Sequence, residues 1–228
     1  MRDNNPMIGL VVAVLAVIVL PASVQIYRAL TPRLALGPEQ LIEAAREVDR
    51  FWENNFSAQF PDAWSGYRTP KLSFDDLEKN LRARNDDYAG YYVNDSEAIH
   101  VDLNRDRREG YLLLVLAHEY GHHVQNLSGQ RRRVSVKELW SGGEEARRLG
   151  VRYELQAECL AGVWAHHAIR RGRLIARRDV ERWRGRNFFS GDSDTHGSGR
   201  QRLRWFNAGF KSGAAKDCDT YEPDWAAL

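Results

Sequence analysis

The feature that most constrains this chain is His118-Glu119-Tyr120-Gly121-His122, which closes an apolar run, Tyr111-Leu-Leu-Leu-Val-Leu-Ala117. An apolar run leading into polar residues reads as a buried helix. At 3.6 residues per turn, positions 118 and 122 stand one above the other on the same face, so both imidazoles can point at one tetrahedral Zn2+. Glu119 flanks that point and is placed to act as general base on an activated water. Gly121 inside the motif costs about 1 kcal/mol of helix propensity relative to Ala. A second helix or a metal crossing closely at its backbone would account for it.

The third ligand decides the class of site. The extended three-histidine pattern would need glycine at 125 and histidine at 128, and the chain has Gln125 and Ser128. The other common solution takes a glutamate from a separate helix. Tyr153-Glu-Leu-Gln-Ala-Glu-Cys159 fits it, because Glu154 and Glu158 are four apart and share a helix face. Glu154 is read as the ligand and Glu158 as the residue behind it, accepting from a ligand imidazole and orienting the ring. The reverse assignment stays open. Leu155, Ala157, Cys159, Leu160, Ala161, Val163 and Trp164 surround the pair, so this helix is expected to be buried, and buried carboxylates need a partner such as a metal.

These residues together resemble a family of bacterial neutral zinc metallopeptidases. The resemblance is carried by His118-Glu-Tyr-Gly-His-His-Val-Gln125, Glu154-Leu-Gln-Ala-Glu-Cys159, Thr195-His-Gly-Ser198 and Cys218-Asp-Thr-Tyr221. It runs from about residue 84 to the C-terminus and more thinly back to Phe51-Trp52. It implies a membrane-anchored, extracytoplasmic domain with a zinc-peptidase core. This chain departs from the family pattern twice. Glu158 stands where aspartate is usual, one methylene longer, and Arg84-Asn-Asp-Asp-Tyr-Ala-Gly-Tyr-Tyr-Val93 lacks the usual cysteine pair.

The only cysteines, Cys159 and Cys218, both fall within the resembling motifs. A disulfide between them would pin the C-terminal tail to the ligand helix and suits an oxidising compartment. Two buried thiols, or Cys159 as a zinc ligand, are the alternatives.

At 228 residues and 43% hydrophobic content, the chain is long enough for one packed domain plus an appendage. The appendage is Met7 to Val24, free of charge and near the lower length that spans a bilayer core. It is read as a transmembrane anchor over 7–27, after a short tail at 1–6 and before a linker at 28–37; a cleaved signal peptide is the rival. The domain then occupies 38–228. By the positive-inside rule, Arg28 and Arg33 give only a weak and opposite orientation signal. The family resemblance and the cysteines place the domain outside the cytoplasm.

Pro38 opens a helix with Leu41, Ala44, Val48, Phe51 and Trp52 at helical spacing. Strands are predicted at Lys71 to Phe74, Tyr91 to Val93 and Ala98 to Leu103, the last as an edge strand able to pair with an extended peptide. His100 on it is read as structural. Ser141-Gly-Gly-Glu144 gives a capping box ahead of a helix over 143–171, and the arginines at 131–133 read as a solvated loop. Eight arginines between 170 and 186 face only Asp179 and Glu181. They read as an exposed helix face, with lipid headgroups preferred over nucleic acid as a partner, since the net charge is only +2.

His196, in a glycine-rich turn before a last helix carrying Leu203, Trp205, Phe206 and Phe210, is a candidate oxyanion donor. Capping that helix is its alternative role. His123, His166 and His167 are read as structural or exposed rather than as ligands. The expected molecule is an α+β, zincin-like metallopeptidase core behind an N-terminal transmembrane helix, with His118, His122 and Glu154 holding Zn2+ and a peptide or protein as substrate. The rival is a non-catalytic, zinc-stabilised membrane protein binding partners through the same groove, which an intact Glu119 argues against.

Overall fold

A computed structural model of the chain describes residues 38–75, 89–102, 110–130, 142–171, 174–185, 189, 192–225 and 228. The expected anchor, tail and linker, the arginines at 131–133 and Ser141 lie outside the described residues. Among those described, no helix is long and apolar enough to cross a membrane. Residues 35–228 form one compact unit, a helix-dominated α+β structure with one small sheet.

Helix α1, Pro38–Gln59, buries Leu41, Ala44, Ala45, Val48, Phe51, Trp52 and Phe56. This is the three- and four-residue spacing of a one-sided amphipathic helix. Its buried stripe meets helix α2, Tyr111–Ser128, where the Tyr120 hydroxyl donates to the Ala45 carbonyl at 3.1 Å. Helix α2 is buried nearly all round, from Leu112 to Leu127 with only Val115 and Asn126 partly exposed, so it forms the middle of the domain. It ends at Gly129, whose φ of 81° is the left-handed conformation that favours glycine.

Strands β1 (Lys71–Asp75), β2 (Gly90–Val93) and β3 (Ala98–Asp102) form a sheet in the order β1-β3-β2. Strand β3 runs parallel to β1, with Lys71 opposite Ala98, and antiparallel to β2, with Gly90 opposite Val101. The expectation of an edge strand at Ala98 to Leu103 is therefore corrected: β3 is central, and among the described residues β2 is an edge. Both faces of β3 are covered, with Ala98, Ile99, Val101 and Asp102 buried. A strand whose alternate residues are buried on either side loses the alternation that marks a half-exposed strand.

Helix α3, Glu144–Arg171, crosses α2, and helix α4, Arg177–Gly185, follows it. Helix α5, Gly199–Ser212, opens with a capping box in which Ser198 accepts from the Gln201 N–H and Gln201 reaches back to the Ser198 N–H. That leaves no capping role for His196. The α3–α5 crossing is closer still than α2–α3: a Cβ at Gly209 would run into the Cys159 carbonyl, and one at Gly162 into that of Phe206.

A 3-10 turn, Ala215–Cys218, then brings the tail back across α3. Cys218 is disulfide-bonded to Cys159, 59 residues earlier. In the loop-entropy account, closing a loop of that length stabilises the fold by about 4 kcal/mol. The Arg152 guanidinium donates to the Thr220 and Pro223 carbonyls, and the Thr220 hydroxyl donates to the Arg152 carbonyl at 2.7 Å.

Helix α4 buries Asp179, Val180 and Trp183 and exposes Arg177, Arg178 and Arg184. The described part of the arginine-rich segment is thus the exposed helix face expected of it.

Candidate metal centre

Two helices from separate parts of the chain make this site, and a glycine sets their spacing. A Cβ at Gly121 would lie 2.8 Å from the Ala157 carbonyl oxygen and 3.0 Å from Ala157 Cα, so α2 and α3 touch backbone to backbone there. One residue to the C-terminal side of that contact is His122, and three to the N-terminal side is His118. On the facing helix, Glu154 lies three residues before Ala157. Close approach therefore brings the histidine face of α2 against the glutamate face of α3. His118 Nε2 and His122 Nε2 each lie 3.1 Å from Glu154 Oε2. Ligand atoms from these three residues all fall within 4.8 Å of one another.

The chemistry of this donor set fits a divalent cation. Gln125 donates its amide N–H to the Tyr153 carbonyl at 2.8 Å, which turns its amide oxygen toward His122 Nδ1 at 2.9 Å. His122 therefore carries its proton on Nδ1. In that tautomer Nε2 presents its lone pair toward Glu154 Oε2, and a cation between the two would bind both. Among the described residues, three carboxylates, Glu119, Glu154 and Glu158, gather at the two histidines, and Arg202 pairs with Glu158.

Glu158 is buried and sits behind His118, its Oε2 3.6 Å from His118 Nδ1, while its Oε1 accepts from Arg202 Nε at 2.9 Å. The distance to His118 is that of an ion pair, and Nδ1 makes no hydrogen bond. Burial pushes His118 down, but Glu158, Glu154 and Glu119 together carry it well above the ordinary histidine range. Burial would also raise Glu154, yet His122 and His118 hold it well below the usual carboxylate value. Glu158, likewise against burial, is held at about 2 by His118 and Arg202. These opposed shifts describe carboxylates and imidazoles stabilising one another's charged forms, a role a cation would take over.

Glu119 lines the cavity in front of the three residues and is itself pushed up by burial, with His118 and His122 opposing. That cavity, about 580 Å³, is walled by Tyr91 and Tyr92 of β2, Ala146 and Tyr153 of α3, and Thr195 and His196. Gly90 brings β2 in, since a Cβ there would meet Val115 Cγ1 at 2.8 Å and Glu119 Cγ at 3.6 Å. His196 Nε2 lies 3.2 Å from Glu154 Oε2, and its Nδ1 is 2.7 Å from the Thr195 hydroxyl. Facing a carboxylate, Nε2 carries the proton and Nδ1 accepts from Thr195. Burial pushes the pKa of this ring down, which leaves a neutral donor at the edge of the cavity.

A family model described as "Putative neutral zinc metallopeptidase" matches residues 104–221, a stretch that holds every residue of this cluster. The chain belongs to this family. Its similarity extends to "Uncharacterized protein YpfJ" of Escherichia coli (strain K12), 30% identical over 197 residues that cover 74% of this chain and 67% of that protein. "Uncharacterized protein Rv2575" of Mycobacterium tuberculosis (strain H37Rv) is 35% identical over 130 residues, 47% of this chain and 43% of the relative, so less than half of that protein is matched. No solved structure matches.

Within this domain, the structure brings together the residues singled out from sequence: His118, Glu119, His122, Glu154, Glu158 and His196. Cys159 and Cys218 are joined to each other, which removes Cys159 as a ligand. His100 stacks on Tyr91 at 4.7 Å. His123 donates from Nε2 to the Arg68 carbonyl at 2.6 Å and accepts from the Tyr92 hydroxyl at 3.0 Å. His166 and His167 donate to the Phe210 and Gly213 carbonyls at the end of α5. Among the described residues, these four lie outside the His118, His122 and Glu154 cluster.

Sequence reasoning missed Gln125, Tyr153, Gln156 and Arg202. Tyr153 stacks on the His122 ring at 4.7 Å. Gln125, three residues after His122 on one helix, carried a usable signal in its spacing. Arg202 carried none, because its contact with Glu158 spans 44 residues.

Proposed function

We propose that this chain is a membrane-anchored zinc metallopeptidase in which His118, His122 and Glu154 hold the metal and Glu119 is the general base. The observation that carries the reading is the convergence of His118 Nε2, His122 Nε2 and Glu154 Oε2 at the floor of a cavity that Glu119 also lines. Zn2+ held there would lower the pKa of a water toward about 7 and polarise a substrate carbonyl. The raised pKa of Glu119 suits a carboxylate that takes a proton from the attacking water and passes it to the leaving amine. His196 donates from Nε2 to the oxyanion of the tetrahedral intermediate, a contact worth about 3 kcal/mol where such donors have been removed in other hydrolases. Glu158 steadies His118 from behind, balanced by Arg202.

The β2 edge supplies the substrate's backbone partner. Its start packs beside Glu119 and its tyrosines wall the cavity, so an extended peptide can add to the sheet there. The arrangement of an active helix, a glutamate-donating helix and a small sheet with one edge at the site supports a zincin-like core. The uncharged stretch from Met7 to Val24 supports a single-pass anchor over 7–27. The Cys159–Cys218 disulfide supports an extracytoplasmic location for the domain at 38–228.

The test is cleavage of a mixed peptide library by the zinc-loaded, full-length protein in detergent, beside Glu119→Gln. The variant should keep its zinc and lose at least about a hundredfold in turnover, the scale of general-base contributions. Undiminished turnover in the variant would remove Glu119 from the chemistry. Zinc binding without any cleavage by the wild type would favour a partner-binding role.

A further inference from the structure

Two buried glutamines link the metal centre to the disulfide, and two backbone carbonyls, those of Tyr153 and Cys218, dictate the order of their hydrogen bonds. A backbone carbonyl only accepts. The Cys218 carbonyl takes an N–H from Gln156 at 3.0 Å, so Gln156 turns its amide oxygen toward Gln125. Gln125 donates to that oxygen at 2.9 Å and to the Tyr153 carbonyl at 2.8 Å, and its own oxygen is left for His122 Nδ1. His122 is thereby held as the tautomer whose Nε2 lone pair faces the metal position. A reversed Gln156 amide would set NH2 against NH2 at one end and oxygen against oxygen at the other. Gln125 and Gln156 are both buried, where such mismatches go uncompensated by water.

The second of these acceptors, the Cys218 carbonyl, is fastened by the disulfide. Cys159 lies three residues beyond Gln156 on α3, so the two side chains share a helix face. Bonding Cys218 to Cys159 presents the Cys218 carbonyl to that face. The tail has other ties to α3, through Arg152 and Thr220, but these act on residues beyond Cys218.

We propose that Gln156 is a positioning residue for His122, acting through Gln125, and that the Cys159–Cys218 disulfide holds the acceptor that orients Gln156, so that the affinity of the metal centre depends on the disulfide. The inference rests on the metal-site reading above.

The test is the Zn2+ dissociation constant of the full-length protein, measured by competition with a chromophoric chelator. The variants are Gln156→Met, the paired Cys159→Ala and Cys218→Ala, and all three together. Alanines are used so that no free thiol binds zinc. Each change should weaken binding about tenfold, the scale seen when groups behind metal ligands are lost. The triple variant should be no weaker than the weaker of the two, because both changes break one chain of contacts.

A purely structural disulfide would lower the melting temperature of the zinc-free protein and leave the dissociation constant alone, which overturns the proposal, as would multiplicative losses. If the alanine pair does not fold, Gln156→Met decides by itself: unchanged affinity refutes the relay, and a tenfold loss at unchanged melting temperature supports it. Equal zinc affinity in every protein overturns this inference alone, whereas no zinc binding by the wild type overturns the metal site with it.

Discussion

Gly121→Ala tests whether the α2–α3 crossing sets the metal site. The added Cβ would stand 2.8 Å from the Ala157 carbonyl oxygen, about 0.6 Å inside the 3.4 Å at which ordinary contact begins. Both partners are helix backbone, so neither yields alone and the helices must part. Overpacking of this kind costs about 1–3 kcal/mol. Against it, alanine gains about 1 kcal/mol of helix propensity over glycine, for a net loss of up to about 2 kcal/mol.

The effect on zinc should be larger in proportion. His118 and His122 ride on one helix and Glu154 on the other, and a zinc site tolerates only about 0.2 Å in its ligand distances. We expect zinc to bind at least tenfold more weakly. Urea denaturation of the zinc-free protein and chelator competition read the two effects separately. Gly66→Ala is the control, since nothing lies within 4 Å of a Cβ there, and it should leave both quantities nearly unchanged. If Gly121→Ala gains stability and keeps its zinc affinity, the crossing does not set the site.

Other perturbations test the surroundings of the centre. Glu158→Gln leaves the Arg202 guanidinium without its carboxylate beneath His118 and should destabilise the zinc-free protein by about 3 kcal/mol, the scale for breaking a buried pair; an unchanged urea midpoint would show that the pair is not coupled. Burial lowers the pKa of His123, so its neutral form is the one folding favours. Its contribution should be complete above about pH 6.5, the ordinary histidine value, and be lost as pH falls through the lowered folded value. The difference in urea midpoint between wild type and His123→Gln, followed from pH 8 to pH 5 without zinc, should shrink on acidification, and a constant difference would contradict this. Saturating zinc at a hundred times its dissociation constant should add about 2.7 kcal/mol of stability, which a chelator removes.

Much of this protein is governed by local periodicity and so was legible in its sequence. The apolar spacing of α1, the buried run entering α2 and the one-turn separation of His118 and His122 depend on neighbours within a few residues. A helix repeats every 3.6 residues whatever surrounds it. The pairing of Glu154 with Glu158 on one face follows from the same rule, and Gly121 announced a close crossing because a helix has no other use for it at that cost.

Which partner each of these would meet was decided only by tertiary structure. The sequence favours Glu154 as the ligand but leaves the reverse open, and the α2–α3 contact at Gly121 and Ala157 aims Glu154 at the imidazoles and Glu158 at Arg202 behind His118. Strand β3 reads as an edge until β1 and β2 close on either side of it, because pairing partners along a sheet are far apart in the chain. Gly162 and Gly209 look like weak points of two helices until the helices meet there. Gln125 and Gln156, ordinary polar residues in the chain, become a relay once the fold presents the Tyr153 and Cys218 carbonyls to them, since groups that only accept set the direction of a buried hydrogen-bond chain.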